Sequence, residues 1–141
     1  MRRAAELALA DAGMTPADID VVFADASGIP ERDRDEAAAI EAIFGPGGVP
    51  VTASKPLTGR LFSGAGPLDI VTALLSVRDS VIPPTAYTTT LAEDYRIDLV
   101  LGAPRSATVG GALVLARGRW GFNSAVVVRA VSDRVLPGSE S

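Results

Sequence analysis

The residues best placed for chemistry lie in the run SKPLTGRLFSGAG, Ser54 to Gly66, where Lys55 and Arg60 flank glycines that precede a strongly apolar segment. Glycines that open a helix can present backbone N–H groups to a phosphate, and a nearby lysine and arginine would add charge. The run matches neither the Walker pattern nor the dinucleotide fingerprint, so the sequence favours glycines that let a buried helix pack closely. Asp33, Asp35 and Glu36, in the run DRDE, could offer carboxylates to a metal. On a helix such acids are more often a solvated face balanced by neighbours, here Arg32 and Arg34, and no metal site is expected. Ser27 and Ser54 have no histidine to activate them as nucleophiles. Trp120, in RGRWGFN, could be a ligand platform, but its place beside a strand-connecting glycine turn points to packing.

Composition narrows the chemistry further. The 141 residues include no cysteine and no histidine, which removes thiol catalysis, disulfides, thiolate zinc sites and the commonest general base. The net charge is −4 and no Lys/Arg run exists, so nucleic acid is not an expected partner. With 48% hydrophobic residues and a mean hydropathy of +0.28, the chain can build one domain with a full core. It is also more apolar than a free-standing soluble domain of this size usually is, which points to surface met by a partner. No apolar run reaches the roughly 18 to 20 residues of a membrane span. The amphipathic start MRRAAELALADAG lacks a signal-peptide cleavage pattern, so the expected compartment is cytoplasmic.

Several elements must position these residues. Helical spacing covers Arg2 to Ala12, with Gly13 as its stop. VVFADA is an apolar strand of the kind buried on both faces. A helix follows from about Pro30 to Phe44, with proline in its first turn, Glu31 and Asp33 at its positive end and GPGG after it. VPVTA is a second strand, and the apolar helix runs from about Gly64 to Val77. DSVIPPT is extended, and two late strands lie near Thr108 to Leu115 and Ala125 to Val131. LPGSES looks like a frayed tail. The order implies an α/β layered domain with a mixed sheet. In the helix after the glycines, apolar residues cover most of the circumference and leave Asp69, Thr72 and Ser76 as one polar stripe. Such a helix is expected to be covered on both sides, the second cover coming from outside this chain.

Four segments, ADASGIPERDRDE, SKPLTGRLFSGAG, VIPPT and GFNSAVVVR, together resemble the C-terminal half of a β-ketoacyl synthase of the thiolase fold. They are most similar to the chain-length factor, or ketosynthase β subunit, of type II polyketide synthases. The resemblance runs from the first helix to about Ala130. It implies a thiolase-like half: a mixed five-stranded sheet with helices on both faces, in α/β/α layers, over residues 1–131, with 132–141 as a tail.

Active members of that family carry HGT where this chain has DAS and KxxTGH where it has KPLTGR. Both catalytic histidine positions are thereby changed, to Asp25 and Arg60, while the motif lysine is kept as Lys55. The resemblance implies that Lys55 pairs with Asp69 as a structural ion pair. It also implies that Asp25 and Arg60 satisfy each other in a vestigial site bordered by Ser27, Thr58, Gly59, Gly64, Gly66, Gly121, Phe122 and Asn123. No catalytic residue, metal or cofactor is expected. The implied function is that of a non-catalytic chain-length-determining subunit in aromatic polyketide biosynthesis. Its expected partners are an active ketosynthase α subunit, the missing N-terminal half and, indirectly, an acyl carrier protein. Family members are longer upstream, so the chain is expected to be a fragment or one piece of a split subunit. Two alternatives are a malonyl-carrier-protein decarboxylase subunit and a stand-alone structural thiolase-like domain.

Overall fold

The structure, a computed structural model, describes residues 1–131. The expected tail, 132–141, lies outside the described residues. Helix α1 (Arg2–Ala12) ends at Gly13, whose φ of 63° is the left-handed conformation that closes a helix without cost to glycine. Strand β1 (Val21–Phe23) is wholly buried, and α2 (Pro30–Phe44) and β2 (Pro50–Thr52) follow. The short α3 (Lys55–Thr58) leads into α4 (Ala65–Asp79). Strands β3 (Val81–Ile82), β4 (Asp98–Leu99), β5 (Arg105–Ser106), β6 (Gly111–Arg117) and β7 (Asn123–Arg129) complete the described elements.

Five strands form one mixed sheet in the order β4-β2-β1-β6-β7, parallel except for antiparallel β7. A two-residue ribbon of β3 and β5 stands apart from it. The brief β4 and the ribbon escape a reading of hydrophobic periodicity, because two residues cannot display a period. Alternation along β1 divides the core. Val22 joins Leu9, Ile40 and Leu113 beneath α1 and α2, whereas Val21 and Phe23 join Ala73, Ile82 and Val114 beneath α4. The layers are therefore α/β/α.

Helix α4 shows which of its faces meets the sheet. Asp69, Ala73 and Ser76 are buried, so the polar stripe points inward. Val71, Leu74 and Leu75 are between 41% and 50% exposed on the other side, and nothing among the described residues covers them. Charge explains this orientation, because Asp69 must turn inward to reach Lys55.

Candidate functional site

The order of the sheet fixes where a site can form. From β1 the chain proceeds outward to β2 and β4, then returns to place β6 on the other side of β1. Parallel strands that diverge in this way leave a crevice at their carboxyl ends, the usual ligand position in open α/β sheets. Asp25 follows β1 at that point and Arg117 ends β6. An open cleft of about 840 Å³ lies there, lined by Asp25, Arg60, Phe62, Gly66, Arg117 and neighbours.

Asp25 is buried at the cleft floor and fully engaged. The Arg60 Nη2 donates to its Oδ2 at 3.1 Å, and the Arg117 backbone N–H donates to its Oδ1 at 3.0 Å. The same Arg60 nitrogen donates to the Arg117 carbonyl at 3.0 Å. The contact is thus made through one nitrogen rather than as a two-nitrogen fork, and Arg60 Nη1 is buried with no partner among the described residues. Gly59, with φ of 71°, turns the chain so that Arg60 can face the end of β1.

Behind Asp25 lies a carboxylate misplaced by the sequence reading. Glu36 does not belong to a solvated face: it is buried, and its Oε1 and Oε2 accept the backbone N–H groups of Asp25 at 2.7 Å and Ala26 at 2.9 Å. This clamp holds Ala26 at a φ of 43°, an unfavourable conformation for a residue with a Cβ. Burial pushes the Glu36 carboxyl up to about 6; its two backbone donors and Lys55 oppose the rise, while the charge of Asp25 adds to it. The placement of Glu36 four residues before buried Ile40 was the available signal, since that spacing shares a helix face. Asp33 is likewise committed to structure, accepting from the Ser27 N–H and Oγ at 2.7 Å and the Gly28 N–H at 3.0 Å. Arg34 pairs with Asp94 rather than with its acidic neighbours.

Lys55 and Asp69 are both buried and in direct contact. Lys55 Nζ also donates to the Ala24 carbonyl at 3.1 Å, and Ser54 Oγ donates to Asp69. One lysine therefore ties the end of β1 to α4. The structure brings Asp25, Arg60, Glu36, Lys55 and Asp69 into one neighbourhood.

Of the expected border, one residue reaches the cleft lining. Gly66 lines the cleft, but Ser27, Thr58, Gly59, Gly64, Gly121, Phe122 and Asn123 do not. Ser27 is drawn away by Asp33, and Phe122 is exposed beyond a turn in which the Gly118 N–H donates to its carbonyl. Trp120 is not packed either, being 90% exposed at a φ of 65°. Close packing does not explain Gly66, where an added Cβ would meet nothing within 4 Å.

Residues 1–89 match the family described as "Beta-ketoacyl synthase, C-terminal domain". This chain belongs to the β-ketoacyl synthase family. The ketosynthase-family domain is 62% identical over 129 residues to "Actinorhodin polyketide putative beta-ketoacyl synthase 2" of Streptomyces coelicolor, covering 92% of this chain and 32% of that protein. It is 58% identical over 127 residues to the "Tetracenomycin polyketide synthase ketoacyl synthase beta subunit" of Streptomyces glaucescens, covering 90% and 31%. Among solved structures it is similar to "The ishigamide ketosynthase/chain length factor", with a TM-score of 0.89 at 26% identity over 93% of this chain and 32% of that one. A type II acyl carrier protein in complex with its ketosynthase matches with a TM-score of 0.87 at 27% identity, over 92% and 32%. The domain spans about a third of the length of the curated relatives it matches. No helix among its described residues is long and apolar enough to cross a membrane.

Proposed function

We propose that this domain is the C-terminal part of a chain-length factor, the ketosynthase β subunit of a type II polyketide synthase, and that it runs no condensation of its own. The contact between Asp25 and Arg60 supports this reading, since the motif resemblance implies that these residues take the places of the family's two histidines. Condensation calls for hydrogen-bond donors that stabilise a thioester enolate and for a group that moves protons near neutral pH. An ionised Asp25 only accepts, and a guanidinium keeps its proton. The names of the relatives support the same reading.

On this reading residues 1–131 form one domain whose partners are the upstream part of the subunit, an active ketosynthase and, through that complex, an acyl carrier protein in the cytoplasm. The exposed side of α4 is the surface that the upstream part covers. A chimera tests the proposal: this chain replaces the matching segment of the actinorhodin relative and is produced with a ketosynthase and carrier protein. Polyketide is the expected product. The same chimera alone, given malonyl-carrier protein, is expected to release no carbon dioxide; release would overturn the non-catalytic reading and favour decarboxylation.

A further inference from the structure

The cleft has a charge pattern that its folding role does not explain. Among the described residues, five arginines, Arg3, Arg32, Arg117, Arg119 and Arg129, form no ion pair. Three of them, Arg32, Arg117 and Arg119, line this one cleft together with Arg60. Asp25 is the only acid lining it, and both of its oxygens are already engaged. Four guanidinium groups around one carboxylate repel one another, in a chain whose overall charge is −4. Arg60 adds a buried donor without an acceptor, and Arg119 is held over the ring of Phe62, 5.7 Å from its centroid, at the cleft wall.

We infer that this cleft is a binding site for a small ligand with an anionic head, a phosphoryl or carboxylate group, recognised by Arg32, Arg60, Arg117 and Arg119. Guanidinium forks match the oxygens of both groups and retain their charge at any ordinary pH. The ligand's body is apolar, because a trough of about 340 Å³ continues from the cleft between Phe62, Ile70, Val114 and Val126. The volume and concavity suit a small molecule, and the switch-point crevice is where such a fold accepts one. Where imidazoles would polarise a neutral carbonyl, this set recognises a full negative charge. The four arginines that would hold the head are this chain's own.

Inorganic phosphate and malonate, titrated separately into the 141-residue chain, test the inference by calorimetry and by the emission of Trp120, the only tryptophan, which follows Arg119 in sequence. Saturable binding of either is expected, the pair distinguishing a phosphoryl from a carboxylate preference. Arg32→Gln with Arg119→Gln should weaken binding about tenfold or more. Arg3→Gln with Arg129→Gln, which removes the same charge elsewhere, should leave it within about twofold. All four positions are exposed, so these variants keep the fold, and their melting temperatures check this. Failure of both anions to saturate, or equal weakening in the two double variants, would overturn the inference.

Discussion

Arg60 meets Asp25 through a single nitrogen, Nη2 to Oδ2 at 3.1 Å, and shares that nitrogen with the carbonyl of Arg117. Asp25 is buried whereas the Arg60 side chain remains a third exposed, so losing the arginine costs more than an ordinary surface pair. Either Asp25→Ala or Arg60→Ala strands a charged partner, and the double substitution strands neither. A denaturation cycle should therefore show coupling of about 1 to 2 kcal/mol. Additive effects would mean that the two residues do not support one another.

Lys55 and Asp69 should behave more sharply, since both are buried and each has a further partner, the Ala24 carbonyl for Lys55 and the Ser54 hydroxyl for Asp69. Lys55→Ala leaves a buried carboxylate with only Ser54 donating, and is expected to cost about 3 to 5 kcal/mol. Lys55→Met combined with Asp69→Leu should cost less than Lys55→Ala alone. Urea midpoints on the three proteins measure the difference, and a Lys55→Ala change within surface scatter contradicts the assignment.

Glu36 gives the stability a direction with pH. Its carboxyl is raised from 4.5 to about 6 when folded, chiefly by burial, so the folded state keeps a proton that the unfolded chain has released. That contribution is complete below the unfolded value and disappears as pH rises through about 6. The decline should amount to about 2 kcal/mol at about 1.4 kcal/mol per pH unit. Asp94 and Asp98 act in the opposite sense, but hydrogen bonds from their arginine partners hold both below the ordinary carboxylate range. Unfolding free energies between about pH 4.5 and 6.5 should therefore fall in the parent and flatten in Glu36→Gln; a rise in the parent would refute the sign.

Two features of this site were legible in the sequence and two were not. The resemblance implied both the Lys55–Asp69 contact and the meeting of Asp25 with Arg60, and both contacts are present. Glu36 was hidden by its acidic neighbours: a run of charges suggests solvent, while the backbone N–H groups of a strand end cannot be seen as donors in a sequence. Trp120 misled for a related reason, because aromatic character implies burial only where a second surface exists. The sheet was readable from apolar runs such as VVF, but two-residue strands carry no periodic signal.

The uncovered side of α4 should dominate the behaviour of the chain by itself. Val71, Leu74 and Leu75 are each roughly half exposed, and full burial of such a side chain is worth about 1.5 to 3 kcal/mol. Sedimentation should detect self-association that Leu74→Glu with Leu75→Glu relieves, with little loss of stability. The same pair of substitutions in the actinorhodin chimera should weaken its assembly. A parent chain that is monomeric and binds no apolar dye would contradict this account.

The crevice between β1 and β6 arises from the path of the chain and not from the side chains that fill it. An architecture of this kind lets a location outlive its reaction: two side-chain exchanges can silence a catalyst without disturbing strand order, and the silent copy still fits wherever the active one did. A duplicated enzyme can then be retained as scaffolding for its sibling, with the emptied workplace open to a different occupant.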